Sequence, residues 1–361
     1  MVQNESLYAA VLAGGGGTRL WPRSRQRLPK HLLSLVGEMP LLNQTLERIR
    51  PLVAPERTFV VTVADHADLV REQVSTLPSQ NIIVEPEGHG TAPCIGLAAL
   101  HIHRRNPEAT MISLHADHTI ADAENFRRIL TATIPIAQQG YLVTLGIKPS
   151  YPETGYGYIQ QGEHIANVDG HPIYRVERFT EKPRLEIARE FLRRGNYYWN
   201  SGIFVWKVST ILEQMSLLLP DLYAQLMEIQ AVLGTPQEDD VLRSTWQKVR
   251  DMTIDVGIME RAADVAVIPA AIQWNDVGSW SSLAELLPND AQGNVIQGEH
   301  IGLDTENCLI YGSERLIATI GLHNLIIVDA GDVLLICPKE RAQDVKRIVD
   351  QLKATGKEEY L

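Results

Sequence analysis

The sequence predicts an α/β fold built on a mixed, mainly parallel sheet, followed by a small C-terminal β unit and a closing helix. Three observations carry this expectation. Between Leu7 and Leu145 five short apolar runs alternate with helical periodicities, which implies right-handed βαβ units and a parallel sheet covered on both faces. From Thr154 the strand and helix signals become mixed. Past Pro288 short apolar runs are separated by Gly, Asp and Asn, the pattern of short strands joined by turns.

In order, Leu7 to Leu12 reads as a buried first strand, and Leu42, Leu46 and Ile49 recur at helical spacing. Thr58 to Val63 is a β-branched strand. Helix Ala67 to Val74 then leads to strand Asn81 to Val84, helix Pro93 to His103 to strand Thr110 to Leu114, and helix Asn125 to Gln138 to strand Tyr141 to Leu145. Strands at Tyr156 to Gln160, Pro172 to Phe179 and Gly202 to Trp206, with a helical stretch over Val208 to Gln230, form an inserted substrate-binding half. The C-terminal runs are Asn294 to Gln297, Cys308 to Tyr311, Leu316 to Ile320, Leu325 to Val328 and Val333 to Cys337. They have no strict repeat, so one or two β-helix-like coils fit and a full solenoid does not. Over Lys339 to Leu352, the residues Val345, Ile348, Val349 and Leu352 share one helical face.

A chain of 361 residues is long for one core, so a large unit plus a smaller one is expected. Hydrophobic content of 45% and charged content of 21% are those of an ordinary globular protein. The formal charge of -11 argues against nonspecific nucleic-acid binding, which draws on basic surface. No run reaches the roughly 18 apolar residues of a membrane span, and the start Met-Val-Gln-Asn-Glu-Ser lacks a basic leader. Three scattered cysteines, Cys94, Cys308 and Cys337, have no metal-ligand spacing and read as reduced packing residues of a cytoplasmic protein.

The stretch Ala13 to Lys30 dominates the chemistry. Four consecutive glycines after a strand let the backbone turn tightly and present N–H groups to an anion. Arg19, Arg23, Arg25, Arg27 and Lys30 follow with no acidic residue among them, a local reversal of sign that marks an anion site. A dinucleotide fingerprint fails because Arg19 stands where its last glycine belongs. A P-loop fails because Lys30 follows Pro29, far from any glycine. What remains is a strand, a glycine turn and a basic arm suited to a nucleotide triphosphate, or a tight turn with a solvated basic loop.

The segment Gly-Gly-x-Gly-Thr-Arg-Leu-Trp-Pro-x-Ser-Arg, then Pro-Lys, resembles the signature of the sugar nucleotidylyltransferases, and its Trp-Pro-x-Ser-Arg portion resembles the mannose-1-phosphate guanylyltransferase branch. Further motifs follow in the family's order: Ala116-Asp117-His118, Phe179-Thr-Glu-Lys-Pro183, Trp199-Asn-Ser-Gly202 and Trp274-Asn-Asp-Val-Gly-Ser-Trp280. The likeness runs from about Leu7 to Val349. It implies a Rossmann-like nucleotidyltransferase domain over residues 1–288, a β-helix-like unit with a terminal helix over 289–361, and transfer of GMP from GTP to mannose-1-phosphate. Larger relatives carry an added isomerase domain; with the sequence ending at Leu361, isomerase activity is not expected. The resemblance also implies a homodimer contact through the C-terminal unit.

By the same resemblance, nucleotide contacts fall to Leu12, Ala13, Gly14, Gly15, Gly17 and Thr18 and to Glu85, Gly88 and Thr91. Arg19 and Lys30 would hold the β and γ phosphates, and Asp117 with Asp276 would hold Mg²⁺, which prefers oxygen ligands. Lys182 would aim the sugar phosphate, while Gly157, Glu181 and Asn200 would grip sugar hydroxyls. Glu85 is the candidate guanine reader, since a carboxylate offers two acceptors to the adjacent N1–H and N2–H donors. The family's Gly-Arg-Asn-Thr-Ala-Pro is here Gly88-His-Gly-Thr-Ala-Pro93, and its usual Phe after Pro-Lys-His is Leu32. Two bland readings stay open: Asp117 as a helix N-cap, and Asn200-Ser-Gly as a turn before a strand. His115 and His118 flank Asp117, but a lone His-x-x-His is a poor zinc site. Another sugar or nucleotide, or a catalytically silent nucleotide-sugar sensor, are the rival functions.

Overall fold

The computed structural model describes residues 5–312 and 314–361. Met1–Asn4, the beginning of the segment read above as lacking a leader, lies outside them. The chain divides into two compact units, and among the described residues no helix is long and apolar enough to cross a membrane.

The larger unit runs to Gly14 and takes up Thr45–Ala116 and Ile120–Trp274. Its sheet has nine strands: β1 (Leu7–Ala13), β2 (Thr58–Val63), β3 (Ile82–Glu85), β4 (Thr110–His115), β5 (Leu142–Ile147), β6 (Tyr158–Val168), β7 (His171–Thr180), β8 (Tyr197–Lys207) and β9 (Val265–Pro269). Their spatial order is β3-β2-β1-β4-β8-β5-β9-β7-β6. β1 pairs in parallel with β2 and β4, β2 with β3, and β9 with β5. β8 runs antiparallel to both β4 and β5, and β7 antiparallel to both β9 and β6. Only β7 and β8 therefore point against the rest, which makes the sheet mixed and mainly parallel.

All seven residues of β1 are buried, as expected of a central strand covered on both faces. Helix α1 (Thr91–Arg105) carries an almost continuous apolar surface into the core, where Ile95, Leu97 and Leu100 join Phe59, Trp206, Met215 and Leu226. The helical stretch expected over Val208 to Gln230 is two helices, α2 (Val208–Leu218) and α3 (Pro220–Gln230). Pro220 supplies the first turn of α3 while forcing Leu219 out of helical geometry, so one periodicity becomes two axes. Strand β9, for which the sequence analysis has no counterpart, is a five-residue apolar run between β5 and β7.

The smaller unit comprises Gly15–Gln44, Asp117–Thr119 and Asn275–Leu361. Strands β10 (Val295–Gln297), β12 (Leu309–Tyr311) and β14 (Leu325–Asp329) stack in parallel, as do β11 (His300–Leu303) and β13 (Ile317–Ile320) beside them. Each of the first two turns of chain thus contributes one strand to each ladder, the β-helix-like coil expected from the sequence, and the third adds β14 to the first ladder alone. β15 (Leu334–Pro338) closes the first ladder by pairing antiparallel with β14. Helix α4 (Val345–Ala354) follows, and its Val345 and Val349 share a core with Leu20, Trp21, Leu41, Trp280 and Leu309.

Candidate active site

Within the smaller unit, the basic arm is a fitted structure rather than a solvated loop. Gly17 takes a left-handed backbone (φ 60°), and a Cβ there would stand 2.4 Å from Lys30 Cβ, so the turn exists because the position has no side chain. Ser24 Oγ donates to the Gly16 carbonyl at 2.7 Å and ties the arm back onto that turn. Trp280 Nε1 donates to the Trp21 carbonyl, and Trp21 Nε1 to the Tyr360 carbonyl. Two of the five arm cations are committed elsewhere. Arg25 makes a bidentate pair with Asp332 at 2.8 and 2.6 Å, and Arg23 lies over the Tyr311 ring. The anion-site reading of the arm narrows to Arg19 and Arg27, which are exposed, and Lys30, which is not.

Lys30 is 4% exposed. Its Nζ donates to Asp117 Oδ2 at 2.7 Å and to the Asp276 main-chain carbonyl. Asp117 is not a helix N-cap: the next helix, Ala123–Gln138, is capped by Asp122, whose carboxylate accepts from Asn125 N–H. His118 Nε2 lies 3.9 Å from the Asp117 carboxylate.

Asp276 sits in a tightly specified turn. Val277 N–H donates to Asn275 Oδ1 at 2.7 Å and Gly278 N–H to Asp276 Oδ1 at 2.9 Å. A Cβ on Gly278 would meet Asp276 Oδ2 at 2.6 Å, so a side chain there would displace the carboxylate. Buried Val277 has φ 48°, an outlier for a β-branched residue that costs about 1–3 kcal/mol and is retained where the surroundings over-determine it. Ser279 then caps the short helix Trp280–Ala284. Each letter of the Asn-Asp-Val-Gly-Ser motif has a local task in presenting one aspartate.

In the larger unit, Leu12 and Ala13 end β1, Gly14 follows it, and Glu85 ends β3, at the carboxyl edge where open α/β sheets bind ligands. Glu85 is 2% exposed, and its Oε1 has no hydrogen-bond partner among the described residues. Burial pushes its pKa up to about 8, with the Cys94 thiol acting in the opposite direction. One of its oxygens is thus buried without a partner, a group that calls for an explanation. Gly88 and Gly90 lie in the exposed turn that follows, and Thr91 opens α1.

A second cluster of the larger unit holds the other expected residues. Asn200 lies inside β8, not in a turn. Its N–H donates to the Gly157 carbonyl, its Oδ1 accepts from Gly202 N–H and Thr144 Oγ1, and its Nδ2 donates to Asp255 Oδ1 at 2.8 Å. A Cβ on Gly157 would stand 2.5 Å from Glu181 Oε2. Glu181 Oε2 has no hydrogen-bond partner among the described residues, while its Oε1 accepts from Lys182 Nζ at 2.7 Å. Lys182 itself has φ 45°. Tyr156 stands edge-on to both Trp199 and Trp274.

Two residues that motif reading missed complete this cluster. Asp255 is pushed up to about 6, first by burial and then by the neighbouring Glu181 carboxylate. Glu260 Oε1 accepts the Glu181 main-chain N–H at 2.8 Å. The sequence signal was two acids in an otherwise apolar stretch, Ile254-Asp-Val-Gly-Ile-Met-Glu260.

The mixed, mainly parallel sheet of the larger unit is that of a nucleotidyltransferase, and comparison with known proteins names the class. A nucleotidyl transferase family model matches residues 8–293, and a mannose-phosphate isomerase/GMP-like β-helix domain model matches 298–352. The chain belongs to the nucleotidyl transferase family. The mannose-1-phosphate guanylyltransferase of Escherichia coli K12 is 40% identical, covering 98% of this chain and 75% of its own length. ManC of Salmonella typhimurium, of the same name, is 39% identical over 100% of this chain and 76% of its own. A solved structure from Thermus thermophilus, named mannose-1-phosphate geranyltransferase, superposes with a TM-score of 0.86 at 34% identity, over 96% of this chain and 99% of that one. Within the family, this chain falls in the mannose-1-phosphate guanylyltransferase branch.

Proposed function

We propose that this chain transfers GMP from GTP to mannose-1-phosphate, giving GDP-mannose and pyrophosphate. The observation that carries the reading is the Lys30 ammonium, buried on a turn without a side chain and shared between Asp117 and Asp276. A lysine is held that deeply only against acceptors. Asp117 and Asp276 fit a divalent ion because both offer carboxylate oxygens, the type magnesium prefers, and the Asp117 carboxylate and the Asp276 main-chain carbonyl lie at the same ammonium. Bound there, Mg²⁺ would neutralise phosphate charge.

The sugar-phosphate oxygen attacks the α-phosphorus in line, a new P–O bond forms, and the bond to the β-phosphate breaks with its electron pair leaving on pyrophosphate. No general base is needed, because the second pKa of a phosphate monoester is about 6 and the nucleophile is already ionised. The remaining problem is to bring two polyanions together, which is a matter of cations and positioning. Arg19 and Lys30 hold the β and γ phosphates, the backbone from Leu12 to Thr18 cradles the nucleotide with Gly88 and Thr91, and Lys182 aims the nucleophile. Gly157, Glu181 and Asn200 hold the sugar. Glu85 takes the N1–H and N2–H of guanine, a role supported by its unpartnered oxygen.

The mannose assignment is supported by the names of the relatives and by Trp21-Pro22-Arg23-Ser24-Arg25. We assign catalysis to residues 1–288 and the β-helix-like unit to 289–361. A homodimer contact through that unit is supported by exposed Leu303, Ile320, Leu334 and Ile336. The free thiols of Cys94, Cys308 and Cys337 support a cytoplasmic location.

The test is pyrophosphate release with Mg²⁺, offering GTP, ATP, UTP and dTTP against mannose-1-phosphate and glucose-1-phosphate. Preference for GTP with mannose-1-phosphate is expected. Preference for another pair overturns the specificity and keeps the chemistry, and no release with any pair overturns both.

A further inference from the structure

The segment Asp251–Glu260 belongs to none of the motifs, yet it touches the nucleotide loop at its start and the sugar cluster at its end. Met252 N–H donates to the His89 carbonyl at 2.9 Å, its own carbonyl accepts Ala92 N–H at 3.0 Å, and Ile254 N–H donates to Thr91 Oγ1 at 2.8 Å. Gly90 permits this approach: at φ 86°, a Cβ there would stand 2.5 Å from the Met252 carbonyl. The departure from the family's Arg-Asn to His89-Gly90 is therefore matched by a close backbone neighbour.

Beyond Ile254 the chain makes one π-helical turn, Asp255–Met259, closed by Glu260 N–H donating to the Asp255 carbonyl at 2.9 Å. Single π turns are uncommon and occur often at functional sites, because the wider i to i+5 closure shifts side chains away from α-helical positions. Here the residues at its two ends reach two neighbouring parts of the sugar cluster. Asp255 Oδ1 takes the Asn200 amide donor, and Glu260 Oε1 takes the main-chain donor of Glu181 next to the left-handed Lys182. With Gly202 N–H and Thr144 Oγ1 on its oxygen, the Asn200 amide has one orientation that satisfies every partner. In these contacts both carboxylates serve as hydrogen-bond acceptors for uncharged donors.

We infer that Asp255 and Glu260 are positioning residues for the sugar phosphate, Asp255 by fixing the Asn200 amide and Glu260 by holding the turn that presents Lys182. This rests on the sugar-phosphate reading of Gly157, Glu181, Lys182 and Asn200 given above. Unlike Asp255→Asn, which keeps an acceptor oxygen for the Asn200 amide, Asp255→Leu removes it. It should raise KM for mannose-1-phosphate about tenfold or more and leave KM for GTP within about twofold, the pattern of a displaced substrate-positioning group. Glu260→Leu should raise the same KM and lower kcat, whereas Glu260→Gln, which keeps an acceptor oxygen, should restore both.

The assay is steady-state pyrophosphate release on each variant, with Tm measured alongside. Equal rises in both KM values, or a Glu260→Gln variant no better than Glu260→Leu, would overturn the positioning roles. If Asp255→Leu fails to fold, the Glu260 pair decides. Wild-type protein in the same assay separates the two levels: no turnover with any substrate pair defeats the functional reading and this inference with it. Unchanged kinetics in the variants of a working enzyme defeat the inference alone.

Discussion

The Lys30 ammonium stands 2.7 Å from the Asp117 carboxylate, with 5% of the lysine side chain and 25% of the aspartate side chain exposed. In a reaction that brings a triphosphate and a metal to these residues, this pair must exchange partners. Lys30→Met should lower turnover by about a hundredfold or more, since it removes the cation proposed to hold the leaving phosphates. It should also strengthen binding of Mn²⁺ to the protein without nucleotide, because Asp117 then loses the ammonium that competes with the ion. Titration followed by Mn²⁺ paramagnetic resonance checks this; unchanged or weaker binding would contradict a shared cation position.

Asp117→Asn and Asp276→Asn should each lose more than about a hundredfold in Mg²⁺-dependent turnover, as expected when an electrostatic stabiliser of phosphoryl transfer is removed. Melting should change far less than turnover, since both residues are partly exposed. Chelation of divalent ions should likewise silence the wild type and be reversed by adding Mg²⁺. Retained activity in either variant would remove that residue from the metal assignment.

Glu85 gives a pH signature. Its folded pKa, about 8, lies above the ordinary carboxyl value of 4.5, so folding favours the protonated form. The associated stability is fully present below about pH 4.5 and is lost as pH rises towards 8. Glu85→Gln should therefore melt above wild type by a margin that grows from pH 5 to pH 8.5, by no more than about 1.4 kcal/mol for each step of one in pH. GTP affinity of the wild type should rise over the same range, because the proposed guanine contact needs the ionised group. Calorimetric melts and GTP titrations at several pH values test both; flat profiles would argue against Glu85 as the base reader.

The glycines of the loop separate into two kinds. Gly17→Ala forces a Cβ into Lys30 and a left-handed backbone, and should cost about 1–3 kcal/mol of stability together with activity. Gly15 and Gly16 have open space around the missing Cβ. Gly15→Ala should leave Tm nearly unchanged and raise KM for nucleotide, the outcome for a residue whose small size serves the ligand. Thermal melts with initial rates distinguish the two, and equal losses of Tm would erase the distinction.

Local chemistry made much of this protein legible without coordinates. The alternation of apolar runs with helical periodicities defined β1 to β5, because burial on both faces leaves its mark on every residue of a central strand. The glycine turn, Asp117, Lys182, Asn200 and Asp276 stood out because each lies in a short run whose neighbours shape it, as Asn275 and Gly278 shape the turn around Asp276. Reading missed what depends on partners distant in sequence. By sequence Arg25 is one more cation of the anion site, whereas in the fold Asp332, 307 positions away, holds it. Asp255 and Glu260 were invisible because their partners, Asn200 and Glu181, approach them only in the folded chain. Sequence determines the elements and the local turns, where the interacting groups are a few residues apart. Which charges are spent on structure, and which are left for substrate, is settled only when the tertiary fold brings remote acceptors within hydrogen-bond reach.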